Sequence, residues 1–285
     1  GVAQLTPKEL TATAIYYYDL KLMSQMASLL DDQEESERYR IWSEEIKEAF
    51  NDKFFNSESK VYATGSQTSM AMPLCVGLVE EKNRKVVFEN LVDSINASGK
   101  KLTAGDIGFH FLVQALHEGG ASQLLYEMNY RDDVPGDGFQ LRKGATALTE
   151  SWAALEEVSN NHLMLGHIME WFYSGLAGIN QSQNSVGYKE IILRPEIVGD
   201  INYVKATHES VYGSIASEWK KTDTGFEMKV CVPANTTATV YLPASQTNKI
   251  FEGGNTIQKD FKNIIYKDGR AIIKIGSGNY EFIVQ

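Results

Sequence analysis

The sequence predicts two domains, an all-helical domain over residues 1–180 and an antiparallel β-sandwich over residues 181–285. Before residue 180, apolar side chains recur at steps of three and four residues, in roughly eight segments joined mostly by short turns, as in helical hairpins packed side by side. From Gly187 onward the pattern changes to short β-rich runs separated by turn signals such as Asp268-Gly269. Many short strands at this spacing predict the sandwich.

Composition and charge exclude several classes of protein. With 285 residues, 43% hydrophobic and 22% charged, the chain is ordinary globular material and long enough for two domains. Its formal net charge is -10 and it has no basic run, so we expect neither a nucleic acid nor a membrane as partner. Cys75 and Cys231 lie in different predicted domains, which indicates two buried thiols. No cofactor fingerprint or calcium loop is recognisable, so we expect no cofactor and no metal.

The first two helices are predicted from an apolar stripe and its interruption. Apolar and aromatic side chains recur at helical spacing over residues 7–30. Thr6-Pro7 is typical of a helix start, with threonine as the N-cap and proline in the first turn. Asp31-Asp32 breaks the stripe and suits the N-cap of a second helix, which ends within KEAFNDKFF.

Two further helices follow a polar link. Gly65 and Ser66 are typical of a loop before a helix start, and Pro73 falls inside the helical pattern, in a first turn or at a kink. Residues 83–98 form an amphipathic helix that we expect Gly99 to end.

The next helix, over residues 109–116, carries possible ligands. His110 and His117 fall two turns apart, but no third ligand at sensible spacing accompanies them, so we interpret them as surface or core histidines. Asp106 precedes the helix, where an aspartate serves equally well as a substrate-binding group or as a helix cap. Both roles for Asp106 stay open at this point.

A long loop and an apolar helix flank the most informative part of the chain. Residues 131–150 are rich in Gly, Pro and Asp, and a loop of this length within a compact domain is typical of a functional segment, so we expect it to form one wall of a site. Residues 161–178 are apolar almost all round, which predicts a helix inside a larger helical assembly.

The stretch from Gly144 to Ile179 combines the groups that sugar hydrolysis needs. Glu150 can polarise a water molecule, and Trp152, two residues later, offers an aromatic face for a pyranose ring or serves in packing. Asn161 and His162, in the polar break that follows, can orient sugar hydroxyls. We therefore predict the active site here.

The same stretch, GATALTESW followed by SNNHLMLGHIMEWFYSGLAGI, resembles glycoside hydrolase family 78, the α-L-rhamnosidases. TGSQTSMAMPLCVGL, LTAGDIGFHFLVQAL and GYKEIILRPEIVGDINYVKATHES are also similar to family segments, in the family's order. The resemblance implies an (α/α)6 barrel with a C-terminal β domain and removal of terminal α-L-rhamnose from glycosides or polysaccharides with inversion. It also implies that Glu150 is the general base and that Asn161-His162 is the polar pair opening the next helix.

One family feature is missing from the sequence. The family's general acid lies upstream, in an Arg-Asp-Glu type motif followed by Trp and Asp, and no such motif is present. We therefore expect an incomplete barrel, with the N-terminal remainder of the parent enzyme as a partner. A secreted or periplasmic location would suit an enzyme that degrades polysaccharides.

Two other functions remain compatible with the sequence. An (α/α)6 barrel also serves other glycosidases and phosphorylases, because fold alone does not set the chemistry. A carbohydrate-binding or structural fragment without a complete active site is the non-enzymatic alternative. The sequence upstream of Gly1 would distinguish the enzyme from the non-enzymatic fragment, because an Arg-Asp-Glu type motif there would favour the enzyme.

Overall fold

The computed structural model describes residues 5–183, 185–257 and 264–285. The chain forms two compact units, Gly1–Ile168 and Met169–Gln285. The first is mainly helical and the second consists mainly of β-sheets, so the predicted fold class is confirmed. The division expected at residues 180 and 181 stays a prediction.

The first unit is built from helices joined by short connections, and one small antiparallel hairpin stands between the second and third helices. The helices are α1 (Lys8–Leu29), α2 (Gln33–Phe54), α3 (Gln67–Val76), α4 (Glu81–Ala97), α5 (Asp106–Glu118), α6 (Ser122–Tyr130) and α7 (Asp137–Arg142), and the hairpin strands are β1 (Phe55–Asn56) and β2 (Val61–Tyr62).

The helix N-termini show which residues cap a helix with a side-chain hydrogen bond. The Asp32 side chain accepts a hydrogen bond from Glu35 N at 3.1 Å, which confirms the predicted N-cap of α2. At α3, Ser66 Oγ accepts from Ser69 N at 3.2 Å. The N-cap predicted at Thr6 is wrong, because the Thr6 hydroxyl pairs with Ser66 Oγ at 2.7 Å and α1 begins after Pro7 without a side-chain cap.

Packing in this unit depends on hydroxyl pairs and on one close approach. In α1 and α2, Ser24 Oγ donates to Ser36 O and Ser36 Oγ donates to Ser24 O, each at 2.9 Å. Between α3 and α5, a Cβ on Gly108 would lie 1.8 Å from Thr68 Oγ1, so only glycine allows these helices to approach so closely. Helix α5 is the element that carries Asp106 at its first turn.

The single apolar helix predicted over residues 161–178 is wrong. The segment forms three short pieces instead: a 3₁₀ turn (Leu163–Leu165), α8 (Ile168–Trp171) and a π-helix (Phe172–Leu176). Leu163 is 80% exposed, so the segment is not buried all round. The first break falls at Gly166, whereas the π-helix follows α8 directly, with no glycine between them.

The second unit is a two-layer β structure. Its strands are β3 (Ile179–Gln181), β4 (Glu190–Leu193), β5 (Tyr203–Ser210), β6 (Gly213–Thr222), β7 (Gly225–Val232), β8 (Thr237–Pro243), β9 (Ile250–Glu252), β10 (Asn255–Thr256), β11 (Ile265–Lys267), β12 (Arg270–Ile275) and β13 (Gly278–Val284). One sheet has the order β10-β9-β13-β7-β6-β5 and the other β11-β12-β8-β4-β3.

The core of this unit lies between the inner faces of the two sheets. Alternate residues of β7 are buried, among them Met228 and Val230, and they pack with Val240 of β8 and Ile273 of β12. The predicted sandwich is thus confirmed, with one departure among the described strands: β4 pairs with β8 in parallel, whereas the other pairs are antiparallel.

The two cysteines, both within the described ranges, are not joined in a disulfide and are half-buried rather than buried. None of the helices within those ranges is long and apolar enough to cross a membrane.

Candidate active site

Two segments pair side by side in the first unit and bring Glu150 close to His162. Glu150 N donates to Ser159 O and His162 N donates to Leu148 O, each at 2.8 Å. The chain between them turns back tightly, with Ala154 in a left-handed conformation at φ 49°. The predicted base and the predicted polar pair therefore lie on adjoining strands of one irregular hairpin.

The carboxylate of Glu150 is held by the same pairing. Its Oε2 accepts a hydrogen bond from Ser159 N at 3.2 Å, and the residue is half-buried. The main-chain donor fixes the direction of the carboxylate. A carboxylate in this state can accept a proton from a water molecule.

Asp106 and His162 are brought together although they are distant in sequence. Asp106 Oδ2 lies 3.7 Å from His162 Nε2, and their side chains are 38% and 31% exposed. The position before α5 is occupied by Gly105, and no side-chain cap bond is formed there. Asp106 is thus not the N-cap residue but lies in the first turn of α5, and its role as a substrate-binding group stays a prediction.

Trp152 lies inside the unit. It is 7% exposed, its Nε1 donates to Ala104 O at 2.6 Å, and its ring meets that of Phe109 edge to face at 4.7 Å. Of the two roles left open for this residue, the burial favours packing, and a direct sugar contact stays a prediction. The indole ties the Glu150 hairpin to the segment that carries Asp106.

Asn161 is exposed at the end of the hairpin, next to His162. Its backbone N donates to Ser159 Oγ at 3.3 Å, so the serine contacts both Glu150 and the polar pair. The side chain of Asn161 stays a predicted ligand of substrate hydroxyls.

Sequence reasoning missed two buried amides that support the site. Gln67 Oε1 accepts from Thr103 N at 2.8 Å and from Ala104 N at 3.0 Å, which holds the segment before α5. Gln140 Oε1 accepts from Thr149 N at 3.3 Å, directly before Glu150. Bonds from a side chain to a distant backbone group leave no spacing pattern, so the sequence offered no signal for either residue.

Histidines near the site do not form a metal centre. His110, one turn after Asp106 in α5, has its ring centroid 5.0 Å from that of His167. Within the part of the chain that the structure describes, no group of three or more His, Cys, Asp or Glu side chains could hold a metal ion.

The fold and the site together define a class of protein. Helical hairpins followed by a β-sandwich, with a half-buried carboxylate and a histidine on one hairpin and a second acid 3.7 Å from that histidine, are typical of a two-domain glycoside hydrolase. The sequence model of the bacterial alpha-L-rhamnosidase six-hairpin glycosidase domain matches residues 1–176, and that of the bacterial alpha-L-rhamnosidase C-terminal domain matches residues 178–256. The chain belongs to the bacterial α-L-rhamnosidase family.

Individual relatives agree with this assignment. An α-L-rhamnosidase of Streptomyces avermitilis is 28% identical over 293 residues, which cover 100% of this chain and 27% of that protein. The structure of the α-L-rhamnosidase from Dictyoglumus thermophilum matches with a TM-score of 0.89 and 29% identity, over 99% of this chain and 33% of that one. The structure of the Streptomyces avermitilis enzyme complexed with L-rhamnose matches with a TM-score of 0.87 and 27% identity, over 97% of this chain and 27% of that one. The chain thus spans between 27% and 33% of the length of these relatives.

Proposed function

We propose that the protein to which this chain belongs is an inverting α-L-rhamnosidase that removes terminal α-L-rhamnose from glycosides or polysaccharides, with Glu150 as the general base. The observation that carries the proposal is the position of the Glu150 carboxylate, fixed by Ser159 N at 3.2 Å on the hairpin that also presents His162. This hairpin lies within the region matched by the glycosidase model, residues 1–176.

Inversion needs a water molecule between the base and the anomeric carbon. Because Oε2 of Glu150 is engaged by Ser159 N, we assign the attacking water to Oε1. The base removes a proton from this water as it attacks, and a separate acid protonates the departing oxygen on the opposite face of the sugar. The two carboxyl groups of such a pair stand roughly 6.5 to 9.5 Å apart.

Asp106 and His162 form the proposed hydroxyl-binding pair. A sugar hydroxyl donates its proton to the partly exposed carboxylate of Asp106, and the imidazole of His162, whose buried Nε2 lies 3.7 Å from Asp106 Oδ2, forms the adjoining wall. Asn161 adds an exposed amide beside them. Trp152 contributes by holding Ala104, and thereby Asp106, against the hairpin.

The general acid and part of the helical assembly are assigned to the N-terminal remainder of the parent protein. Exposed apolar side chains on the helical hairpin of α1 and α2 support this proposal. Leu29 and Leu30, at the end of α1, are 83% and 81% exposed, and the exposed rings of Tyr16 and Trp42 meet edge to face at 6.3 Å. Apolar groups in such number on one hairpin are typical of a surface that another part of a protein covers.

The experiment that tests the function is hydrolysis of an aryl α-L-rhamnoside by the full-length parent protein and its Glu150→Gln variant. Loss of a general base lowers the rate by roughly 10² to 10⁴-fold, and we expect a kcat at least about 100-fold lower. Glu156→Gln is the matched control, since Glu156 is an exposed carboxylate in the same hairpin. We expect the control to keep its activity.

The stereochemistry of the first product tests inversion separately. NMR during the first turnovers should show β-L-rhamnose from the α-linked substrate. Initial release of the α anomer would contradict inversion alone, whereas full activity of Glu150→Gln would contradict the assignment of the base.

A further inference from the structure

In the buried side-chain amide of Gln140, the oxygen forms a hydrogen bond and the nitrogen forms none among the described residues. The residue lies in α7 and is 3% exposed; its Oε1 accepts from Thr149 N at 3.3 Å. Its Nε2 is buried and has no hydrogen-bond partner among the residues that the structure describes. A buried donor without a partner costs about 1–3 kcal/mol, which an apolar side chain of the same length would avoid. The bond to Thr149 is therefore the contact that a glutamine supplies and a methionine cannot.

Thr149 connects the hydrogen bond of Gln140 to the main chain next to Glu150. It is 1% exposed, and its Oγ1 donates to Ser151 O at 2.6 Å, so it bridges the residues on both sides of Glu150. Glu150 N is itself bound to Ser159 O. The main chain around Glu150 is thus held by three bonds, at Thr149 N, Glu150 N and Ser151 O, and Gln140 supplies the one that comes from α7.

Helix α7 is a fixed support for this contact. Gln140 N donates to Gly136 O and Ala145 N donates to Gln140 O, each at 3.0 Å, and Leu102 N donates to Pro135 O at 3.1 Å, just before the helix. The backbone of Gln140 is bonded at both its amide and its carbonyl, so its side chain extends from a defined position.

We propose that Gln140 is a positioning residue that fixes Thr149, and through it the direction of the Glu150 carboxylate toward the attacking water. This inference rests on the proposed function, in which Glu150 is the base. Because Gln140 is buried, it acts through Thr149 and does not touch the substrate.

We expect substitution of Gln140 to change kcat much more than KM. A catalytic group displaced by about 1 Å can cost up to roughly 10²-fold in rate. We expect Gln140→Met in the full-length protein to lower kcat by roughly 10-fold and leave KM for the aryl rhamnoside within about twofold. If Gln140→Met does not fold, Gln140→Asn, whose side chain is one methylene too short to bring an acceptor oxygen to Thr149 N, should lower kcat in the same way.

A matched variant distinguishes the proposed positioning role of Gln140 from a purely structural role. Asn51 is another amide within this unit; its Nδ2 donates to Leu78 O at 2.9 Å and its Oδ1 accepts from Tyr62 Oη at 2.6 Å. Asn51→Leu should lower Tm without a change in kcat. A kcat loss in Gln140→Met no greater than in Asn51→Leu overturns the inference.

Hydrogen exchange of the Thr149 amide distinguishes this inference from the proposed function. Gln140→Met should speed that exchange at least about 10-fold, while Asn51→Leu leaves it unchanged. Faster exchange with an unaffected kcat, in a protein that Glu150→Gln inactivates, overturns the positioning role and keeps the function. If Glu150→Gln stays active, the assignment of the base fails, and the role of Gln140 fails with it.

Discussion

At the scale of single residues, Asp137 is a carboxyl whose charge the fold disfavours. Its Oδ2 is buried, with no hydrogen-bond partner among the described residues, and burial raises its pKa from 3.8 to about 6. The folded protein therefore binds this proton more tightly than the unfolded chain. The resulting stability is fully present below pH 3.8 and is lost as the pH rises through about 6.

Asp137→Asn should remove this pH dependence. At about 1.4 kcal/mol for each pKa unit, the variant should be more stable than the parent by up to about 3 kcal/mol at pH 7, and no more stable at pH 3.5. Urea unfolding at both pH values measures the difference. Asp132→Asn, in the same loop and 63% exposed at its side chain, is the control and should show no such gain. Equal stability of Asp137→Asn and the parent at pH 7 would contradict the buried-carboxyl interpretation.

The residues that the sequence could identify were those with a chemical signature. Glu150, Asp106 and His162 stood out as polar groups in loops, and the structure places them in one region of the first unit. The roles of Ser159 and Gln140 could not be predicted, because both act through main-chain hydrogen bonds that depend on how distant segments pair. Burial of Trp152 depends likewise on the position of Phe109 in α5.

At the scale of elements, the π-helix over Phe172–Leu176 depends on one glycine. A Cβ on Gly175 would lie 2.2 Å from Trp171 Cδ1 and 3.1 Å from Glu196 Oε2. Trp171 is 2% exposed and its Nε1 donates to that carboxylate at 3.3 Å. Any added side chain must therefore displace a buried indole.

Gly175→Ala should destabilise the protein by about 1–3 kcal/mol, which is the usual cost of overpacking. Gly276→Ala is the matched control, because a Cβ there meets nothing within 4 Å. A thermal unfolding scan of the two variants measures the difference. A Tm for Gly175→Ala equal to that of the control would show that the indole moves away without cost.

Regular elements could be predicted and irregular ones could not. Period-two burial in β7 and the helical stripe of α1 follow directly from side-chain spacing. The irregular structure over residues 161–178 escaped prediction because the space around Gly166 and Gly175 is bounded by residues elsewhere in the chain, Leu148 and Glu196. The order of the strands depends in the same way on distant pairings.

At the scale of the whole molecule, the exposed apolar groups of α1 have a measurable consequence. Met26, Leu29 and Leu30 are 53%, 83% and 81% exposed, so the isolated chain should bind an apolar dye and self-associate at micromolar concentration. Leu29→Ser with Leu30→Ser should reduce both without lowering Tm, since little buried area is lost. Val186→Ser with Val211→Ser, two valines that are each 85% exposed in the second unit, is the control pair. A monomeric parent chain without dye uptake would contradict this prediction.

The parallel pairing of β4 with β8 constrains the order of events during synthesis. Neighbouring strands β5, β6 and β7 can form their meander as they leave the ribosome, because each pairs with the next. Strand β4 is made earlier but lies between β3 and β8, and β8 is translated only after that meander. Until β8 is made, one edge of β4 therefore has no partner strand in the nascent chain. The five-stranded sheet forms only when β4 pairs with β8 across a long sequence separation, which is slow. In a cell, the interval between translation of β4 and of β8 is when this half of the protein is most exposed to aggregation.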